Sequence, residues 1–287
     1  LVALCAALAG CAVPVPLRET SAAGTIVVGT IELDAQPRVA HWYLPAADAT
    51  ALVVFEHGFT RRCANLRETT RQWMAAGLMA LCVDAPMAGG NPALAEALAR
   101  RLGGNIGAPD GRKVPGSIIV AGHSAGAVFA AALGASLDAI VPGRLAGALL
   151  FDPVATAGFE AALRAVSAAG RRPVLALLAP PHRCNADSNA LPALRLAEQE
   201  ARDAGSTAFV VVRLAEGATH ADVEGVDTDG LAEWACGPVQ PARTAALRAL
   251  AMEWLRSVVA ARSLEKASER GIGKAVGKGA AQVAGPP

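Results

Sequence analysis

Gly122-His123-Ser124-Ala125-Gly126 sets a serine between two glycines at the spacing Gly-x-Ser-x-Gly. The apolar run 117–121 precedes it and an Ala-rich, helix-forming stretch follows, so the serine falls at a strand-to-helix turn. A turn that sharp leaves no room for flanking side chains and holds the serine in a strained conformation, hydroxyl projecting above the strand ends. The same turn puts the Ala125 N–H at a helix N-terminus, where it can donate to a developing oxyanion. The chemistry this implies is nucleophilic attack on a carbonyl, with Ser124 as the nucleophile.

Such a serine needs a base, an acid and a second oxyanion donor. The run 51–56 ends in His57-Gly58-Phe59, which offers the Phe59 N–H as that donor, with Gly58 allowing close approach to a substrate. His57 itself is expected to brace the loop. A base downstream of the nucleophile leaves His182 and His220, and His220 is the better placed, in a loop after the run 208–214. Two carboxylates could orient it: Asp152, ending the run Ala148-Leu-Leu-Phe, and Asp187, in the loop after the next apolar run. Asp84 closes a strand ahead of a turn and is expected to be structural. Arg61 and Arg62 could meet an anionic substrate group or simply begin a solvated helix.

These residues must be held by a sheet. Apolar runs at 25–33, 38–44, 51–56, 78–84, 117–122, 146–151, 173–179 and 208–214 alternate with Ala-rich helical stretches, the pattern of a mostly parallel eight-stranded sheet covered on both faces. The first two predict an antiparallel hairpin. Asn65 and Glu68 stand at capping-box spacing before a helix ending at Gly77, Asn91-Pro92 opens another, and a third runs from Ser124 to about Leu137. A last helix over about 242–260 carries Leu247, Leu250, Trp254 and Val258 as its apolar stripe.

Gly-His-Ser-x-Gly followed by an apolar strand ending in Asp152-Pro-Val resembles the chlorophyllases and the related plastic-active, PET-hydrolase-like lipases, serine esterases of the α/β-hydrolase superfamily akin to dienelactone hydrolases. The resemblance spans roughly residues 50–225. It implies a single α/β-hydrolase domain without a large cap, and it implies Asp152 as the acid, giving the chain order Ser124, Asp152, His220. Ala125 stands where chlorophyllases usually carry Arg. The expected activity is hydrolysis of small-molecule or polymeric carboxylic esters through an acyl-enzyme. A peptidase or acyltransferase with the same three residues, and a silent ligand-binding lipoprotein, are the rival readings.

The chain has 287 residues and a formal net charge of +1, which gives no electrostatic footprint for nucleic acid. No Cys/His spacing matches a zinc site, and no cofactor or metal is expected. The start reads as the remnant of a signal peptide, 1–10, and Leu8-Ala9-Gly10-Cys11 resembles a bacterial lipobox. Cys11 is then the lipidation site, 11–24 a membrane-anchored tether, 25–261 the catalytic domain and 262–287 a disordered basic tail. The expectation is a monomeric protein of the bacterial cell envelope, outside the cytoplasm. Disulfides persist there; Cys184–Cys236 is the expected bridge, with Cys63 and Cys82 left open.

Overall fold

Residues buried on both faces make the centre of the sheet. Leu52–Glu56 (β4), Met79–Val83 (β5), Ile118–His123 (β6), Leu145–Phe151 (β7) and Val174–Leu178 (β8) are buried at every position, so they read as unbroken apolar runs. The computed structural model describes residues 16–104 and 106–283. In it, Leu17–Ser21 (β1), Gly24–Leu33 (β2), Gln36–Pro45 (β3) and Phe209–Arg213 (β9) complete one sheet of order β1-β2-β3-β5-β4-β6-β7-β8-β9. The first three strands are antiparallel, β3 pairs antiparallel with β5, and every pair from β5 to β9 is parallel.

Among the described residues the sheet therefore has nine strands, not eight. The extra one, β1, lies inside the stretch expected to be a tether. All five of its residues are exposed and it is held by backbone pairing to β2, so no alternation of apolar and polar residues marks it. The signal-peptide remnant and Cys11 lie outside the described residues.

Arg67–Ala75 (α1) and Pro241–Val283 (α7) cover one face, while Pro92–Gly103 (α2), Ala125–Ile140 (α3), Phe159–Ser167 (α4) and Leu191–Asp203 (α5) cover the other. One helix each fills the β7–β8 and β8–β9 connections, leaving the carboxyl ends of the strands without a large cap. Asn91 caps α2 as expected, its side chain accepting from the Leu94 N–H. For α1 the expected capping box is replaced by a distant partner. Asn65 instead accepts from the Arg62 N–H in the 3-10 turn before the helix, and the Glu68 N–H is capped by the Asp227 carboxylate.

Helix α7 runs well past 260, so the stretch from 262 expected to be disordered is helical as far as Val283. Its buried stripe is Leu247, Ala251, Leu255 and Val258, with Trp254 laid over Gly147 of β7; Leu250 falls on the flank and is exposed. No helix among the described residues is long and apolar enough to cross a membrane.

Two disulfides brace the strand ends. Cys63–Cys82, with Cα atoms 5.7 Å apart, ties the loop after β4 to β5; Cys184–Cys236, at 5.6 Å, joins the loop after β8 to a helix near the C-terminal third, Gly230–Cys236 (α6).

Candidate active site

Ser124 sits between β6 and α3 with φ 57° and ψ −122°, a region that side chains other than hydrogen rarely enter. Glycines on either side make this possible. A Cβ on Gly122 would strike the Gly126 carbonyl, and one on Gly126 would strike the carbonyl oxygens of Glu56 and His57, because α3 passes directly over the end of β4. Gly126→Ala should therefore destabilise the fold by about 1–3 kcal/mol and cut turnover as α3 is forced away from β4, read as a lower urea midpoint together with a lower kcat.

Asp152, one residue beyond β7, also has positive φ, at 41°. Its carboxylate is buried and fully engaged: Oδ1 accepts from the Ala179 N–H at 3.1 Å, Asn185 Nδ2 donates to both oxygens at 3.2 and 3.1 Å, and His220 Nδ1 stands 2.7 Å from Oδ2. An acceptor on Nδ1 fixes the proton there and leaves Nε2 as the ring nitrogen able to take one. Ser124 and His220 line one cavity of about 380 Å³, together with Gly58 and Phe59. Ala125 is the first residue of α3, so its N–H is among those a helix leaves without an intrahelical partner.

Asp187 is elsewhere. It is exposed, in a left-handed turn at φ 54°, its own N–H donating to the His182 carbonyl. His182 caps that turn through Nδ1, which accepts from the Cys184 N–H at 3.2 Å. His57 braces its loop, donating from Nδ1 to the Gly58 carbonyl at 2.9 Å. Asp84 accepts from the Cys63 N–H at 2.7 Å and lies 3.3 Å from His41. Burial works against the Asp84 carboxylate, but the bonds from His41 and Cys63 hold it below the usual carboxylate range. Cys63 stands near His41 and Asp84, and near Glu56 and His57, at spacing that could suit a metal, yet its sulfur is committed to a disulfide and offers no thiolate.

Three participants carry no local sequence signal. His123 is buried and donates from Nε2 to the His220 backbone carbonyl at 2.8 Å, its ring 4.5 Å from the His220 ring. Burial first, then the neighbouring His220, push the His123 imidazole well below its ordinary range, so it holds the His220 loop as a neutral donor. Arg61 is bound to protein rather than free for substrate. Its guanidinium forks onto the buried Glu224 carboxylate and reaches Asp229, stitching the Phe59 turn to the segment after His220. Despite partial burial, those two carboxylates hold Arg61 charged more firmly than usual. Asn185 is the third, fixing the Asp152 carboxylate from the loop beyond β8. Helix α6 was also unforeseen; Asp229, whose side chain accepts from the Ala232 N–H at 2.8 Å, and Gly237 after its end were its readable signals.

Beneath the Phe59 loop, Glu56 is wholly buried, its carboxylate accepting from the Val83 N–H at 3.0 Å. Burial pushes this carboxyl well above its ordinary 4.5. A raised folded-state value means that its contribution is complete below 4.5 and is lost as pH climbs toward the raised value, because only the unfolded chain then releases the proton. Glu56→Gln keeps the acceptor without the ionisation. It should melt a few degrees above the wild type at pH 8, where ~1 kcal/mol is worth about 2–4 °C, and the gap should close toward pH 4.

No known family profile matches the chain, and no curated protein matches it. Solved structures do. Esterase 2 of Thermogutta terrifontis, phosphoramylated by tabun, superposes with TM-score 0.52 at 18% identity over 81% of this chain and 94% of that one. Dienelactone hydrolase from Anabaena variabilis gives 0.55 at 16% identity, over 84% and 98%. An esterase from Rhizomucor miehei gives 0.56 at 14% identity, over 86% and 85%. The strand order, the serine turn after β6 and these likenesses agree that the chain has the α/β-hydrolase fold.

Proposed function

We propose that the chain hydrolyses carboxylic esters through an acyl-enzyme on Ser124. The observation that carries this is the 2.7 Å contact between Nδ1 of His220, which lines one cavity with Ser124, and Oδ2 of the buried Asp152. His220 Nε2 takes the proton of Ser124 as its Oγ attacks the ester carbonyl, and Asp152 holds the ring and stabilises the imidazolium that results. The N–H groups of Phe59 and Ala125 receive the oxyanion. Collapse of the tetrahedral species expels the alcohol, which takes the proton from His220, and water activated by the same imidazole then releases the acid. Ester substrates are favoured by the uncapped cleft and by structural neighbours named as esterases and a dienelactone hydrolase.

The test is turnover of p-nitrophenyl butyrate beside the matching p-nitroanilide, with labelling by a fluorophosphonate. Ester turnover with an inert amide supports the reading. Amide turnover at a comparable rate would replace it with a peptidase, and a folded protein inert to substrate and probe alike would leave a binding protein.

Two disulfides suit an oxidising compartment outside the cytoplasm. The lipobox-like Leu8-Ala9-Gly10-Cys11 extends this to anchorage on a membrane by lipid at Cys11. Cys11→Ser should move the protein from the membrane to the soluble fraction; unchanged fractionation would reject the anchor.

A further inference from the structure

Helix α6 is held in place by everything except its apolar side chains. Seven residues form no stable helix alone, and none of these seven is buried. The anchors are the Cys184–Cys236 disulfide, the Asp229 cap on the Ala232 N–H, the Arg61–Asp229 ion pair, and Arg183 Nε donating to the Ala235 carbonyl at 2.9 Å. Meanwhile Leu231 and Trp234, one helical turn apart on a shared face, are 73% and 76% exposed. Leu231 lines the Ser124 cavity together with Phe59, itself 61% exposed. Trp234, one turn along from Leu231, lies outside the cavity lining with the Arg183 guanidinium 5.6 Å from its ring.

Resting on the ester-hydrolase reading, we propose that Leu231 and Trp234 form an outer subsite. It receives the distal hydrocarbon of an ester whose apolar group is too long or bulky for the 380 Å³ cavity. A short ester seated at Ser124 reaches Leu231 at most. Only a group that leaves the cavity along α6 covers Trp234 as well, and covering it removes a large aromatic surface from water. Rigid anchoring of α6 lowers the ordering cost of that contact, because the helix is already set before the substrate arrives. The preferred substrates are therefore esters carrying a long aliphatic or extended aromatic portion.

The test compares kcat/KM for p-nitrophenyl decanoate and acetate, and for decyl and ethyl acetate, all as monomers in solution, in wild type and Trp234→Ser. The proposal expects the long-to-short ratio to fall about tenfold in one series, equivalent to ~1.4 kcal/mol; a fall in the acyl series assigns the subsite to the acid portion, a fall in the alcohol series to the alcohol. A variant that slows long and short esters equally, leaving both ratios unmoved, overturns the subsite and leaves α6 a merely structural wall. A second measurement needs no turnover: tryptophan emission titrated with sodium decanoate below its aggregation limit should change in wild type and lose that change in Trp234→Phe. Decanoate binding through Trp234 in a protein that cleaves no ester would refute the ester chemistry while supporting the apolar subsite. Ester turnover with unmoved ratios and no emission change would do the reverse.

Discussion

Ser124→Ala should lower kcat on p-nitrophenyl butyrate by roughly 10³- to 10⁶-fold, with fluorophosphonate labelling lost and the fold intact. The size follows from what remains. Removing Oγ deletes the covalent route, while the cleft and the two backbone donors still bind an ester and still favour its oxyanion, so a slow direct hydrolysis persists. The fold should survive because the turn's shape comes from its neighbours: Ser124 N–H donates to the Phe151 carbonyl at 2.9 Å, and the Ser124 carbonyl accepts from Ala127 at 3.1 Å. Ala and Ser bear the same penalty at φ 57°, so their melting temperatures should agree closely. Ser124→Gly, equally inactive, should melt higher, because glycine escapes a strain of about 1–3 kcal/mol that other residues store at such an angle. An alanine variant that kept most of its activity would place the nucleophile elsewhere, whatever the geometry around residue 124.

How much of this could be read from the residues depends on how local each cause is. Strands buried on both faces announce themselves as apolar runs, and the residues just past such runs, His57-Gly58-Phe59, Ser124 and Asp152, were legible as candidates for the site. Strand β1 was not, because a polar edge strand is specified by the pairing surface of β2 and not by its own pattern. The cap of α1 was misread for a related reason. Asn65 and Glu68 have the spacing of a local capping box, yet Asp227, 159 residues further on, supplies the acceptor. Arg61 met the same fate: its guanidinium is drawn to Glu224 and Asp229, brought close only when the base loop folds against the Phe59 turn. Contacts made across the chain leave no period or motif, so the supports of the candidate site were the illegible part, while the residues proposed to react stand in readable motifs.

Asp152→Asn should cost about 10⁴-fold in kcat, whereas Asp187→Asn should stay within about twofold of wild type. Both substitutions remove one charge from neighbouring loops, so a general electrostatic effect would give them comparable losses; hydrogen bonding separates them. At position 152 the surroundings dictate how an amide must sit. Oδ1 receives the Ala179 N–H, whereas Asn185 Nδ2 bridges both oxygens and favours neither, so the backbone donor requires the amide oxygen on the Oδ1 side and drives the new NH2 to the place of Oδ2. That NH2 then faces His220 Nδ1, which must become an acceptor, so the proton moves to Nε2 and the base can no longer take the proton of Ser124. The Ala179 N–H thus enforces the wrong tautomer in the variant, while Asn185 holds the carboxylate through both oxygens in the native protein. Asn185→Ala by itself should lower kcat, but because the Ala179 N–H still sets the amide, Asp152→Asn combined with Asn185→Ala should be no more active than Asp152→Asn alone. Measured kcat values for the four proteins of that cycle, with Asp187→Asn beside them, decide the matter. If the double variant regains activity, the amide is free to turn and the tautomer argument fails; if Asp187→Asn collapses instead, the acid lies on the other loop.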